Sequence, residues 1–209
     1  YTGLYHALIH PNVLSDVNGE YPAMESAEIR TAEGNRYTVF SLWDTYRNLH
    51  QLLTLVYPER QLEMVRSMVG MYREWGWLPK WELYGRETFT MEGDPSIPVI
   101  VDTWMKGLRD FDMDAAYEAM RKSATTPGAR NRMRPDIDPY IEKGYVPLGF
   151  YARDLSGDNS VSHALEYYIA DHALSLLADS LGKKDDAALF RARSLGYKNY
   201  YSTESGTFR

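Results

Sequence analysis

Two tryptophans that stand next to charged residues carry the chemistry here, and a further base–acid pair follows close behind. Trp43-Asp44 lies in Tyr37-Thr-Val-Phe-Ser-Leu-Trp-Asp-Thr-Tyr-Arg47, and Lys80-Trp81 ends Gly76-Trp-Leu-Pro-Lys-Trp81. Arg86-Glu87 follows within Gly85-Arg-Glu-Thr88. An indole face stacks on the apolar C–H face of a pyranose, while a carboxylate accepts hydrogen bonds from neighbouring hydroxyls. Indole plus carboxylate is therefore the chemistry of a sugar pocket. A plainer reading places Trp43 in a core, with Asp44 as a first-turn acid favoured by the helix dipole. It makes Lys80-Trp81 and Arg86-Glu87 a surface ion pair beside a half-buried indole, on loops between helices.

Two carboxyl groups flanking a sugar are the general signature of glycoside hydrolysis. Asp44, Glu82, Glu87, Asp94 and Asp102 all supply candidates, and Glu82 with Glu87 fall close enough in one irregular loop to approach each other. Glu166 and Asp171 belong to a long helix, where buried acids tie neighbouring helices together. His163 and His172 lack metal-ligand spacing relative to each other and form no zinc motif with Glu166. No phosphate-binding glycine loop and no Ser-His-Asp order is present. With no cysteine among 209 residues, disulfides, thiolate zinc sites and cysteine nucleophiles are excluded. The net charge of −6 argues against a nucleic-acid partner, which needs a basic face. No apolar run has the length of a membrane span, and no signal peptide is present.

Helices must position these groups, because apolar residues recur at steps of three and four almost everywhere. The spacing predicts one helix over residues 40–57, a second ending at Gly76, and a third from Asp94-Pro95 to Phe111. Asp94 can cap that third helix, and Pro95 suits its first turn. Asp112 or Asp114 opens a short helix through Met120. A loop-rich stretch, residues 127–158, holds one short helix over residues 138–143. A long helix runs from Asn159 or Ser160 to Leu181 with Gly182 as its stop, and a last one spans residues 185–200. A small β excursion around Asn18-Gly19 and an extended segment after Gly206 complete the pattern. The fold class is mainly α, built of paired antiparallel helices. Such pairs stack into bundles, solenoids or closed toroids.

Several longer matches run in order from end to end. They are Ser15-Asp-Val-Asn-Gly19, Phe40-Ser-Leu-Trp-Asp-Thr-Tyr-Arg47, Trp77-Leu-Pro-Lys-Trp81, Tyr117-Glu-Ala-Met-Arg-Lys-Ser-Ala124, Val161-Ser-His-Ala-Leu-Glu-Tyr-Tyr168 and Gly206-Thr-Phe-Arg209. Together they resemble the exo-acting α-mannosidases of glycoside hydrolase family 92. The resemblance implies an inverting, calcium-dependent enzyme that trims mannose from N-glycans or mannans in an extracytoplasmic compartment of a bacterium. It implies that residues 1–209 form part of an (α/α) toroid, with a preceding β-sandwich domain and the rest of the toroid outside them.

The family's catalytic acid sits in a Glu-Gly-Asn-Ala-Trp type motif. The resemblance places that motif, the catalytic base and the calcium ligands beyond Arg209. No catalytic residue and no metal ligand is therefore assigned here, and residues 1–209 alone are expected to be inactive. Glu33-Gly34-Asn35 spells the motif's first letters but continues as Arg36-Tyr37, and it is rejected as the acid. The resemblance carries Trp43 and Asp44 into the mannose pocket, and Lys80, Trp81, Arg86 and Glu87 onto its rim. The rival reading is a non-catalytic helical-repeat module that binds a glycan or protein on its concave face.

Overall fold

A computed structural model describes residues 1–149 and 159–208, so the end of the predicted loop-rich stretch and Arg209 lie outside the described residues. The chain divides into two compact units, residues 1–91 with 99–120, and residues 92–98 with 121–209. Both are mainly helical, with small antiparallel sheets.

The first unit opens with α1 (Thr2–Ala7) and five short strands: β1 (Asn12–Val13), β2 (Glu20–Pro22), β3 (Ile29–Thr31), β4 (Tyr37–Thr38) and β5 (Phe40–Ser41). β1 pairs with β4, and β2 with β3. The turn at Asn18-Gly19 thus leads into β2 and does not fold β2 back on β1. Next come α2 (Leu42–Thr45), α3 (Leu49–Val56) and α4 (Pro58–Trp75). α3 packs on α4 across the single residue Tyr57.

The helix predicted over residues 40–57 is therefore broken. Phe40–Ser41 is drawn into a sheet, and the Leu42 N–H donates to the Lys80 carbonyl at 3.2 Å. α4 follows the prediction: Pro58 opens it, and Gly76 closes it at φ 91°. Its inner face buries Met64, Val65, Met68, Val69 and Met71. Gly70 on α4 faces Arg36, and a Cβ there would meet Arg36 Nη1 at 2.6 Å. That guanidinium is 4% exposed and pairs with Glu74 at 2.8 Å. Glu74 also accepts the Tyr21 hydroxyl (2.9 Å) and the Met24 N–H (2.7 Å).

Two further strands, β6 (Trp81–Leu83) and β7 (Arg86–Glu87), precede α5 (Ser96–Met105) and α6 (Met113–Thr125). α5 stops at Met105, short of the predicted Phe111, and Gly107 stands at φ 88° just beyond. Asp112 caps α6 as anticipated, its Oδ1 accepting the Ala115 N–H at 3.0 Å.

His50 on α3 is fully buried. Its Nδ1 lies 2.9 Å from Gln61 Oε1, and its Nε2 lies 3.0 Å from Thr45 Oγ1. A neutral ring satisfies both, with Nδ1 donating and Nε2 accepting. Burial lowers its pKa from 6.5 to about 4. Between those values the unfolded chain binds a proton that the folded chain refuses, so stability is present above pH 6.5 and falls on acidification. The expected loss from pH 6.5 to 4 is ~3 kcal/mol, by integrating the proton linkage. Melting curves across that window check it. A His50→Gln variant should lose that slope, and an unchanged slope would refute the assignment.

The second unit holds α7 (Ile137–Lys143), α8 (Ser160–Ser180) and α9 (Lys184–Ser194), followed by a 3-10 turn, Leu195–Asn199. β8 (Tyr201–Ser202) and β9 (Thr207–Phe208) then pair across the turn containing Gly206. α8 packs on α9 across residues 181–183, as a short connection requires. The predicted terminal helix thus ends in a tighter turn. The core gathers Ile137, Tyr140, Val146, Ala164, Tyr167, Tyr168 and Tyr200. Tyr140 rests against Tyr167 and Tyr168, with ring centroids 5.4 and 5.2 Å away.

Asp94 lies just ahead of α5, and its backbone carbonyl accepts the Ile97 N–H at 3.3 Å. Its carboxylate is buried, where it accepts Ser123 Oγ (2.5 Å) and Arg134 Nε (2.9 Å). Arg134 Nη1 reaches Asp171 at 2.7 Å, and Asp171 also accepts the Tyr140 hydroxyl at 2.8 Å. The sequence reading of Asp171 as a buried tie between elements holds. Among the described residues, no helix is long and apolar enough to cross a membrane.

Candidate functional site

The segment that carries Trp81 is a β-hairpin, not the loop predicted from sequence. Leu83 pairs with Arg86 and Glu82 with Glu87, leaving a two-residue turn at Tyr84 (φ 50°) and Gly85 (φ 82°). Two consecutive left-handed residues are what a tight hairpin turn needs. The X-Gly pair between Trp81-Glu-Leu83 and Arg86-Glu87 was a legible hairpin signal. On its other edge β6 pairs with β5, with Phe40 opposite Glu82 and Ser41 opposite Trp81.

That register brings two of the singled-out groups near each other. Ser41 pairs with Trp81 and donates its hydroxyl to the Asp44 carboxylate. Asp44 is exposed, and Trp43 and Trp81 are half-buried. The Arg47 guanidinium lies 4.4 Å over the Trp43 ring and 4.8 Å over Tyr46, a cation–π arrangement that sequence spacing did not suggest. Trp43 Nε1 is buried and finds no hydrogen-bond partner among the described residues. A solvent-facing carboxylate can accept the hydroxyls of a polyol, and a partly exposed indole can stack on its C–H face.

Lys80 and Glu87 are both buried. Lys80 is 3% exposed. Glu87 is buried, with Oε2 accepting the Lys80 N–H at 2.7 Å and Oε1 accepting the Trp81 and Phe89 N–H groups at 3.0 and 2.8 Å. Arg86 stays exposed, 3.6 Å from Glu25. Glu82 is fully buried, with Oε1 accepting Thr38 Oγ1 (2.8 Å) and the Gly85 N–H (2.6 Å). Burial pushes its carboxyl pKa up, against those two hydrogen bonds, and the facing Glu87 charge adds to the rise. The folded form of Glu82 thus favours its proton, and its contribution to stability declines as pH rises, opposite in sign to that of His50.

Glu82 and Glu87 face each other across the hairpin; both Glu87 oxygens and Glu82 Oε1 accept internal hydrogen bonds, while Glu82 Oε2 is buried without a hydrogen-bond partner among the described residues. Asp102 pairs with Lys106 one turn on, at 2.7 Å. Among the described residues no group of three or more His, Asp or Glu could hold a metal ion.

Residues 1–209 match the glycosyl hydrolase family 92 catalytic domain. An α-mannosidase of family GH92 from Bacteroides thetaiotaomicron, solved in complex with mannoimidazole, is 37% identical to this chain with a TM-score of 0.89. The match covers 100% of this chain and 26% of that one. A family GH92 inverting mannosidase from the same organism is 31% identical, with a TM-score of 0.85, over 98% of this chain and 27% of that one. A protein named as an uncharacterized secreted glycosidase from Arthroderma benhamiae is 28% identical over 146 residues, 68% of this chain and 19% of that protein. The chain therefore spans about a quarter of the length of these solved structures.

Proposed function

Because the chain belongs to glycosyl hydrolase family 92, we propose that it is a segment of an inverting, calcium-dependent exo-α-mannosidase acting on terminal α-mannosides of N-glycans or mannans. Likeness to the α-mannosidase and the inverting mannosidase supports the reaction class. In this reading the paired helices are part of an (α/α) toroid, and the protein works outside the cytoplasm.

The observation that carries the site is the exposed Asp44 carboxylate, held by Ser41 opposite Trp81. Asp44 accepts hydroxyls of the terminal mannose, Trp43 and Trp81 wall the pocket, and Arg86 stands at its rim. Asp44, being exposed, meets the sugar at little desolvation cost. Inversion needs an acid and a base roughly 6.5–9.5 Å apart, so that a water fits between base and anomeric carbon. The family resemblance assigns the acid and base to motifs beyond Arg209. The calcium ligands are assigned there as well.

Full-length protein incubated with an aryl α-mannoside tests the reading. Mannose should be released, with the β-anomer as the first product seen by proton NMR, and a chelator should abolish release until calcium is restored. No release of mannose would sink the proposal. The α-anomer as first product would overturn inversion, and chelator resistance would overturn the metal requirement.

A further inference from the structure

The backbone of Trp81 sits where the sheet runs out. β7 contains two residues, paired with Glu82 and Leu83, so it ends before it can complete the ladder opposite Lys80 and Trp81. Side chains and one backbone bond finish the ladder. Glu87 takes the N–H groups of Lys80 and Trp81, and Thr88 donates both its N–H (3.2 Å) and its hydroxyl (2.9 Å) to the Trp81 carbonyl. Glu87 is itself fixed, because its own N–H donates to Glu25 Oε1 at 2.8 Å. Both polar groups of one half-buried tryptophan are thereby pinned by neighbours two or fewer residues past the strand end.

The surrounding backbone is strained. Of the five non-glycine residues with positive φ among the described residues, four, Glu25, Val39, Tyr84 and Phe89, lie in or beside this sheet. Val39, at φ 61°, is β-branched and sits between β4 and β5. Tyr84 forms the hairpin turn, Phe89 donates its N–H to Glu87, and Glu25 donates its N–H to the Gly85 carbonyl at 2.8 Å. Such conformations persist only where surrounding bonds over-determine them. A short strand needs no such arrangement merely to fold. It does serve a side chain that must be held in one place.

We propose that Glu87 is a positioning residue: its carboxylate, by clamping the Lys80 and Trp81 amides, presets the Trp81 indole for stacking on the substrate sugar. The inference rests on the reading of Trp81 as a pocket wall. A carboxylate suits the task because it offers acceptors only, so three amide donors converge on it without conflict. A carboxamide of the same shape would turn one oxygen into a donor facing a donor.

The test uses the full-length enzyme and steady-state kinetics on an α-mannoside. Trp81→Ala should raise KM, and Glu87→Gln should raise KM about tenfold with kcat changed less than about threefold, as loss of uniform binding requires. In the Trp81→Ala background Glu87→Gln should raise KM no further, because both changes remove the same contact. Thr88→Val, at an exposed position, removes the hydroxyl pin from the carbonyl side; it should raise KM about threefold in the wild-type background only. It decides the matter if Glu87→Gln does not fold. A raised KM in Trp81→Ala with unchanged KM in both clamp variants would overturn the proposal and leave the pocket reading standing. Unchanged KM in Trp81→Ala would overturn both.

Discussion

Replacing Arg134 with methionine should destabilise the second unit by ~3–5 kcal/mol, the cost of leaving buried charge without its partner. Arg134 has no solvent exposure, and it holds Asp94 and Asp171, two carboxylates at most 2% exposed. Burial opposes its charge, yet Asp171 and Asp94 more than offset that and hold its pKa above the ordinary arginine value. Its guanidinium also lies 5.0 Å from the Tyr167 ring centre. Methionine fills the volume but leaves two acids facing each other's surroundings uncompensated. Lysine would restore the charge without the fork that reaches both carboxylates, and should recover only part of the loss. Urea unfolding followed by near-ultraviolet circular dichroism measures both variants. A loss below about 1 kcal/mol for methionine would show that the network is dispensable.

Asp44→Ala should lower kcat/KM of the full-length enzyme by about 100-fold, the loss expected when a charged acceptor of sugar hydroxyls is removed. Stability should barely move. Asp44 is exposed and accepts the Ser41 hydroxyl, which water can satisfy. The pairing of outcomes matters, since an activity loss with an unchanged melting temperature separates contact with substrate from folding. A kcat/KM within about threefold of wild type would remove Asp44 from the pocket.

Helices with long apolar periodicity were legible in the sequence, and so were their ends. α4 stops at Gly76 and α8 just before Gly182, both glycines in the left-handed region. Asp112 capped α6 because a cap is a local interaction, readable within four residues. The long-range role of Asp94 was hidden for the opposite reason. Its side chain answers to Arg134, forty positions away, and no local pattern encodes such a partner. The strands of the site are too short to show alternation, so β5 was absorbed into a helix by its apolar spacing.

Trp43, Asp44 and Trp81 could be picked out by residue type, but the pairing of Ser41 with Trp81 could not, because strand partners are set by tertiary context. Glu87 had the residue type of a ligand-binding acid. What decides its environment is three backbone amides, and backbone donors leave no trace in a sequence.

Gly70 limits how this sequence can drift. A glycine within a helix is ordinarily a place where alanine improves matters, by about 1 kcal/mol. Here that gain is closed off, because an added methyl would displace a guanidinium that Glu74 holds in a dry interior. Position 70 and position 36 must therefore change together or not at all. A library built by improving helix formers one site at a time would discard Gly70 first and lose the Tyr21–Arg36–Glu74 knot with it.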